Sequence, residues 1–297
     1  MRKITARTKM KSLIIGMGIG QLYQKVLLEL GFDQVITADL NLPADYKFWQ
    51  DAVKEHKFFD TVHICTPNFT HETIASQLAK NTKLLFIEKP GVQFESNWRT
   101  LLRTFPQTRI MMVKNNMWRD NINELKSLYN KSKVVEFKWL NQNRVPKPGS
   151  WFTNKELAYG GVSRDLLPHL LSLFAVLEPK YDSAVWLYKN AWQRFGLEDI
   201  TDGDYGKVDP SGIYNVDDNV ELECTIKDHR VYFKSSWRTI KPNEVGIQFD
   251  DTFIELGLCP EDAYKNMISS CLNNLNNDLF WLEQKDIDCW IHNKINL

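Results

Sequence analysis

The sequence lacks long apolar runs, paired cysteine motifs and any excess of charge of one sign. Lysine plus arginine and aspartate plus glutamate both number 37, so the formal net charge is zero. A balanced charge gives no electrostatic reason to bind nucleic acid or an acidic membrane surface. No stretch reaches the roughly 18 apolar residues that a spanning helix needs. We therefore expect neither a nucleic-acid partner nor a membrane partner.

The five cysteines are scattered and contain no C-x-x-C pair. Disulfide frameworks and zinc sites both need cysteines at characteristic spacings, and the histidines show no ligand spacing either. The apolar stretch near the start is short and interrupted by glycine, unlike the core of a signal peptide. The sequence predicts reduced thiols, no bound metal and a cytoplasmic location.

A chain of 297 residues is long for a single hydrophobic core, so two domains are expected. Up to about residue 120, short apolar segments alternate with segments whose apolar residues recur at helical spacing. This alternation is typical of an α/β fold with a doubly wound parallel sheet. We expect a Rossmann domain over residues 1–120 and a substrate-binding and oligomerisation α+β domain, with an open, mostly antiparallel sheet, over residues 121–297.

Four expectations for the second domain follow from its pattern. A hairpin is expected to turn at Lys227, Asp228 and His229, and a single strand to run from Gly246 to Leu256. The long polar segment 193–219 is expected to form a loop that borders the substrate pocket. An open sheet face needs covering, which favours a homodimer or homotetramer built through the C-terminal sheet.

A glycine-rich turn, Gly16-Met17-Gly18-Ile19-Gly20, lies between the first predicted strand and helix. Glycines there allow the pyrophosphate of a dinucleotide to approach backbone N–H groups at the helix N-terminus. The second strand ends on Asp39, whose carboxylate suits the adenosine ribose hydroxyls and repels a 2′-phosphate. The pattern favours NAD over NADP, although a plain tight turn would also explain the glycines. The predicted contacts are Gly16, Gly18, Ile19, Gly20 and Asp39.

Three further motifs follow this turn along the chain. They are Thr66-Pro67-Asn68-Phe69-Thr70-His71, Glu88-Lys89-Pro90, and Gly160-Gly161 leading to Asp165 and His169. In this order, over about residues 12–170, the motifs resemble the glucose–fructose oxidoreductase/inositol dehydrogenase (Gfo/Idh/MocA-type) family. The resemblance implies a Rossmann domain joined to an open-sheet domain. It also implies oxidation of a sugar or polyol hydroxyl, or reduction of the matching carbonyl.

The resemblance also implies roles for individual residues. Lys89 is expected beside the nicotinamide, hydrogen-bonded to the reacting oxygen, with His169 as general base and Asp165 holding the imidazole. These residue types suit the chemistry, because histidine titrates near neutrality and an ammonium group stabilises negative charge on oxygen. His71 is expected to brace the cofactor loop and Trp151 to stack on a sugar. The implied lining of the nicotinamide end is Thr66, Pro67, Asn68 and Glu88.

Each of the three proposed catalytic residues also has an interpretation that involves no catalysis. Lys89 suits a solvated strand end, and His169 a histidine of the apolar core. Because Pro168 places a helix start near Leu167, Asp165 is also expected at the N-cap of that helix. The scaffold equally suits reduction of an imine or a non-sugar carbonyl, or a non-catalytic NAD-bound sensor.

Overall fold

The structure is a computed structural model that describes residues 9–203, 205–257 and 260–297. Within these ranges no helix is both long and apolar enough to cross a bilayer. The same residues contain no group of three or more His, Cys, Asp or Glu side chains arranged to hold a metal ion. Four of the five cysteines are free thiols, and Cys259 lies outside the described residues.

A five-stranded parallel sheet forms the first half of the chain, with strand order β2-β1-β3-β4-β5. The strands consist largely of buried apolar residues, and the crossover helices turn one apolar side towards them. This is the predicted doubly wound α/β arrangement. Its elements are β1 (Lys11–Ile15), α1 (Gly20–Glu29), β2 (Gln34–Ala38), α2 (Trp49–His56), β3 (Phe59–Ile64), α3 (His71–Leu78), β4 (Thr82–Ile87), α4 (Glu95–Thr104) and β5 (Arg109–Met112).

A six-stranded sheet forms the second half, in the order β11-β10-β6-β9-β8-β7. All neighbouring strands are antiparallel except β6 and β9, which run parallel, so the predicted mostly antiparallel sheet is confirmed. Helix α8 is buried along almost its whole length. The elements are α5 (Ile122–Lys131), β6 (Val134–Leu140), α6 (Lys155–Ala158), α7 (Val162–Asp165), α8 (Leu167–Leu177), β7 (Val185–Trp192), β8 (Asn219–Ile226), β9 (His229–Ser236), β10 (Glu244–Phe249), β11 (Thr252–Glu255), α9 (Glu261–Asn273) and α10 (Asp278–Ile295).

Two predicted strand boundaries in this sheet were wrong. The segment predicted as one strand from Gly246 to Leu256 is a hairpin of β10 and β11. Asp250 turns the chain with φ of 43°, and its carboxylate accepts hydrogen bonds from the backbone N–H groups of Lys133 and Val134. The preceding hairpin has a two-residue turn, because His229 already pairs with Ile226 in the ladder.

The segment 193–219 packs against the loop that follows β6. The N–H of Lys147 donates to the carbonyl of Tyr205, and the N–H of Asp209 donates to the carbonyl of Pro148. A β-bridge joins Gly149 to Ile213. These contacts join the two loops to each other. A contact between segment 193–219 and the substrate stays a prediction.

The last two helices, α9 and α10, return to the first sheet. Side chains of α9, including Tyr264 and Met267, share a buried cluster with Tyr23 of α1 and Met111 of β5. Helix α10 packs against α4, β5 and α8. The expected boundary at residue 120 places both helices in the second domain, whereas their packing connects that part of the chain to the first sheet.

The outer face of the six-stranded sheet carries charged side chains in pairs. Glu136 forms ion pairs with Lys138 and Lys234, and Lys138 also pairs with Glu244. These residues lie on three neighbouring strands, β10, β6 and β9. Assembly into a homodimer or homotetramer through this sheet stays a prediction.

Candidate functional site

The glycine turn lies at the carboxyl edge of the parallel sheet, between β1 and α1. Gly16 has a φ of 94°, and a Cβ there would lie 2.5 Å from the carbonyl oxygen of Cys65. A Cβ on Gly20 would lie 2.9 Å from Ile14 Cγ2, so this glycine allows close helix–strand packing. A Cβ on Gly18 would have no described heavy atom within 4 Å beyond its chain neighbours. The fold itself therefore gives no steric reason for Gly18, whereas a pyrophosphate does.

Asp39 connects the end of β2 to this turn. Its Oδ2 accepts a 2.6 Å hydrogen bond from the N–H of Met17, and its Oδ1 accepts from the N–H groups of Asn41 and Leu42. Burial raises the pKa of Asp39, but these backbone donors outweigh burial and lower the pKa overall. A carboxylate that stays ionised at this position suits the ribose hydroxyls of NAD. Ile19 is the N-cap residue of α1 and makes no side-chain cap.

Lys89 and Asp165 meet in the cleft between the two sheets. Lys89 follows β4 and is joined to Pro90 by a cis peptide bond, and its Nζ forms an ion pair with Asp165 Oδ1. Asp165 Oδ2 accepts a 2.8 Å hydrogen bond from Trp237 Nε1 at the end of β9. Burial lowers the pKa of Lys89, but the Asp165 and Glu88 carboxylates outweigh it and the pKa is raised. The lysine is therefore a cation at neutral pH, held in place by the second sheet.

Asp165 does not cap a helix, so the alternative of an N-cap role was wrong. It is the last residue of α7, and the N-cap of α8 is Leu166, with Pro168 in the first turn as expected. Asp217, which precedes β8, contacts the start of the preceding helix, α7. Its carboxylate accepts hydrogen bonds from the N–H groups of Gly161 and Ser163. The Asp165 carboxylate is consequently free to pair with Lys89.

His169 lies in the first turns of α8 with a side chain that is only 9% exposed. Its ring stacks on Trp139 of β6, with centroids 5.1 Å apart. Its Nδ1 lies 3.0 Å from Asn116 Nδ2. The described residues include no hydrogen bond between His169 and Asp165. Burial lowers the pKa of His169 to about 3, and the nearby charges of Lys89 and Arg119 lower it as well, while Asp165 opposes them.

Glu88 and His71 brace the loops at the same edge of the sheet. Glu88 is buried and accepts a 2.7 Å hydrogen bond from the hydroxyl of Tyr23 in α1. His71 is fully buried, with Nδ1 at 2.9 Å from the carbonyl oxygen of Gly91 and Nε2 at 2.8 Å from that of Thr66. It thereby joins the loop after β3 to the loop after β4, while any contact of His71 with the cofactor stays a prediction.

The loop after β3 also contacts the second half of the chain. Asn68 Nδ2 donates a 2.8 Å hydrogen bond to the carbonyl of Ala158 at the end of α6. Thr66 and Thr70 share a 2.6 Å hydrogen bond between their hydroxyls, and the carbonyl of Pro67 accepts from Thr70. These bonds fix the loop that is expected to line the nicotinamide.

A small pocket opens beside Lys89 and Asp165. Phe152, rather than the predicted Trp151, faces it, while Trp151 stacks on Phe152 with ring centroids 3.8 Å apart. The lining residues are Asn68, Lys89, Phe152, Ala158, Gly160, Gly161, Arg164, Asp165 and Trp237.

Several residues of this site carry no motif that would identify them from the sequence. The pattern marks Trp237 only as the end of a strand, and it does not single out Asn116, Arg119 or Trp139. Each reaches the site from a different element. Trp237 follows β9, Trp139 lies on β6, and Asn116 belongs to the turn after β5. A tryptophan at a strand end and two adjacent asparagines after a buried strand are the only sequence signals available.

Comparison with known proteins relates part of the chain to an oxidoreductase family. Residues 31–113 match the model of an oxidoreductase family with an NAD-binding Rossmann fold. A putative UDP-kanosamine synthase oxidoreductase subunit of Amycolatopsis mediterranei is 29% identical over 123 residues. That alignment covers 40% of this chain and 34% of the relative, so the chain spans about a third of the curated relative it matches.

Solved structures agree over nearly the whole length. GenD2 from gentamicin A biosynthesis, solved with NAD, has a TM-score of 0.74 at 14% identity, covering 97% of this chain and 92% of that one. Levoglucosan dehydrogenase, solved with NADH and levoglucosan, has a TM-score of 0.71 at 14% identity, covering 97% and 96%. At such identities these likenesses show the fold. Residues 31–113 are thus similar to the NAD-binding domain of the Gfo/Idh/MocA-type oxidoreductases, and the ordered motifs agree with this resemblance.

Proposed function

We propose that the protein transfers a hydride between the nicotinamide of NAD and a carbon–oxygen centre of a sugar, a polyol or a sugar-derived carbonyl. The observation that carries the proposal is the Lys89–Asp165 ion pair, which lies at the carboxyl edge of the parallel sheet within a cleft closed by the second sheet. Doubly wound sheets bind ligands at this edge. His169 completes the proposed catalytic set.

The residues present fit the cofactor. Gly16, Gly18 and Gly20 leave the backbone of the turn accessible, and Asp39 supplies a carboxylate at the end of β2. The loop after β3 and Glu88 would hold the nicotinamide end next to Lys89. When bound, NAD supplies the hydride acceptor or donor. No arginine stands directly after Asp39, and the carboxylate repels a 2′-phosphate. Both features support NAD over NADP.

Lys89 contributes charge at the reacting oxygen. Its ammonium group, held by Asp165, stabilises negative charge that develops on that oxygen as the carbon gains or loses a hydride. Asp165 is in turn held by Trp237, so the direction of the lysine is set from the second sheet. A side chain fixed in this way needs little reorganisation during the reaction, which is the source of most electrostatic catalysis.

The choice of substrate class has support from the comparisons. Levoglucosan dehydrogenase shares the fold over nearly the whole chain, and its structure contains levoglucosan, a sugar derivative. The aromatic side chains of Phe152 and Trp237 line the pocket, and aromatic rings pack well on the apolar faces of sugars. Reduction of an imine or of a non-sugar carbonyl uses the same scaffold, and a cofactor-bound sensor has no need of a charged lysine in the cleft.

Turnover assays test the proposal. Purified protein is incubated with NAD and a panel of sugars and polyols, or with NADH and the corresponding carbonyls, and the absorbance of the reduced cofactor is followed. We expect turnover with at least one member, lost in Lys89→Met. Lys83→Met is the matched control, because Lys83 lies at the start of β4, the strand that Lys89 follows, and forms a surface ion pair with Asp60. Turnover of a cyclic imine with none of the sugars would replace the proposed substrate class.

A further inference from the structure

Three side chains form a hydrogen-bonded chain that ends at the imidazole of His169. Arg119 Nε donates a 2.7 Å hydrogen bond to Asn116 Oδ1, and Asn116 Nδ2 lies 3.0 Å from His169 Nδ1. Arg119 is itself fixed, because its Nη2 donates to the carbonyl of Gly257 and its side chain is only 8% exposed. Asn116 is fully buried. The chain is therefore shielded from water along its length.

The arginine determines which way the amide of Asn116 faces. A guanidinium group has only donors, so the atom that it contacts must be the amide oxygen. The other atom of the amide, which faces His169, is then the NH₂ group, and this group also has only donors. Rotating the amide by half a turn would set two donors against each other at Arg119. The contact with His169 Nδ1 is consequently one in which the ring nitrogen accepts.

We infer that Asn116, oriented by Arg119, holds His169 as the neutral tautomer with its proton on Nε2. In this tautomer the imidazole donates a hydrogen bond to the reacting oxygen and does not take a proton from it, and Lys89 transfers the proton. This inference rests on the proposed function for the identity of the reacting oxygen. It assigns Asn116 as a positioning residue and gives His169 a role different from the general base that the family resemblance implies.

The remaining contacts of the ring agree with this assignment. Nε2 has no hydrogen-bond partner within the described residues and is not among the polar atoms that the protein encloses. The Asp165 carboxylate, which would favour a proton on the ring nitrogen facing it, is occupied by Lys89 and Trp237. The lowered pKa of His169 agrees with a neutral ring. Because Asn116 occupies Nδ1, the ring has no free lone pair with which to accept a substrate proton.

The proton balance of the reaction then runs through Lys89. In the direction of reduction, a bound reduced nicotinamide would supply a hydride to the carbonyl carbon, and the carbon–oxygen π bond would break. The oxygen forms its O–H bond with a proton from the Lys89 ammonium, which becomes an amine and regains a proton from water. In the direction of oxidation Lys89, a cation at neutral pH, would first give a proton to water and then accept the hydroxyl proton. His169 ends each turnover with the proton with which it began.

Nitrogen NMR of the protein without cofactor tests the tautomer directly. Long-range ¹H–¹⁵N spectra of protein labelled with ¹⁵N-histidine distinguish protonated from unprotonated ring nitrogens, and the signals of His169 are identified by their loss in His169→Gln. We expect an unprotonated Nδ1 and a protonated Nε2 in the wild type. Asn116→Asp should reverse the two, since a carboxylate accepts a proton from Nδ1. His71 is the internal control, because its two carbonyl contacts should leave its signals unchanged in the variant.

A protonated Nδ1 in the wild type overturns the inference and leaves the proposed function standing. If Asn116→Asp does not fold, Asn116→Leu provides the second test, and without the amide donor both tautomers should be populated. An unchanged Nδ1 signal in Asn116→Leu also overturns the inference. Conversely, the expected tautomer without turnover of any sugar, polyol or matching carbonyl contradicts the proposed function alone.

The pH dependence of turnover provides a readout that a purely structural role of Asn116 does not affect. In the wild type the rate should show no ionisation of His169 between pH 5 and pH 8. In Asn116→Asp the new carboxylate raises the pKa of the imidazole, so a histidine ionisation should enter that range. An identical profile in the two proteins argues against control of the ring by Asn116.

Discussion

Lys89 and Asp165 lie 76 positions apart in the sequence, and their side chains form an ion pair between the two sheets. The side chains are only 20% and 17% exposed, so each charge is largely removed from water and is compensated by the other. In Lys89→Met the carboxylate of Asp165 keeps only Trp237 as a described partner. We expect a loss of about 3 kcal/mol in the free energy of unfolding, together with loss of turnover.

The double variant Lys89→Met/Asp165→Asn separates these two effects. Removing both charges should restore most of the stability, measured by urea unfolding, while turnover stays absent. Recovery of turnover in the double variant would show that Lys89 supports the fold and not the reaction.

Tyr23 and Glu88 provide a second buried pair at the same edge of the sheet. Burial raises the pKa of Glu88, and Lys89 and the Tyr23 hydroxyl oppose this effect. Tyr23→Phe removes one donor without changing the shape of the ring. The free energy of unfolding should fall by about 1–3 kcal/mol, because a buried acceptor loses its partner. Tyr46→Phe is the control, since that hydroxyl contacts the exposed Glu55, and it should change stability by less than about 1 kcal/mol.

Asp39 is predicted to set the affinity and the type of cofactor. Asp39→Ala removes the carboxylate that is proposed to bind the ribose hydroxyls, and calorimetry should show NAD binding weakened about tenfold, or ~1.4 kcal/mol. The preference for NAD over NADP should narrow at the same time. Asp45→Ala is the control. Asp45 accepts hydrogen bonds from Thr37 of β2, the strand that Asp39 follows, and does not contact the glycine turn in the described structure. Unchanged discrimination in Asp39→Ala would remove this residue from the cofactor site.

Lys114 and Asp288 form a fully buried ion pair that joins the end of β5 to α10. Burial raises the pKa of Asp288 to about 6, although Lys114 opposes the shift. Asp288→Asn leaves the ammonium group buried without a counter-charge, and we expect a loss of about 3–5 kcal/mol in urea unfolding. The double variant Lys114→Met/Asp288→Leu should lie much closer to the wild type. Equal destabilisation of both variants would mean that shape, and not charge, determines this contact.

A buried neutral histidine lowers the free energy of unfolding at acidic pH. The effect of one such residue, His63, can be measured separately. Burial lowers its pKa to about 3, whereas the unfolded value is about 6.5. The unfolded chain therefore binds a proton between these values that the native protein does not. Above pH 6.5 the free energy of unfolding is therefore not reduced by protonation of His63. It falls progressively as the pH drops from 6.5 towards 3.

The variant His63→Phe measures that loss, since the introduced phenyl ring would stack on Phe86 in place of the imidazole. Below pH 6.5 the wild type should lose stability relative to the variant by about 1.4 kcal/mol per pH unit. Parallel stability profiles of the two proteins between pH 7 and pH 5 would contradict the assignment of a neutral, buried His63.

The first sheet was predictable from the sequence because its signals are local. Each strand is a short apolar run, and each helix has its apolar residues at a fixed spacing, so neither depends on distant parts of the chain. The hairpin at Asp250 was missed because the turn is stabilised by Lys133 and Val134, more than a hundred positions earlier.

The site was only partly predictable for a related reason. Lys89, Asp165 and His169 stand in recognisable motifs, whereas the residues that orient them do not. Trp237 reaches Asp165 from the end of β9, and Asn116 reaches His169 from the turn after β5. Spatial contacts between distant segments leave no periodicity in a single sequence. The tautomer proposed for His169 depends on such contacts, so it could be inferred only from the folded chain.

The return of α10 to the edge of β5 has a consequence for how the protein is made. Asp288 accepts a hydrogen bond from the N–H of Met112 on that edge strand, so the nucleotide-binding half gains its final backbone partner from the C-terminal helix. A ribosome releases α10 well after β5. A fragment that stops before α10 would therefore leave the edge of β5 without this partner and Lys114 without its counter-charge.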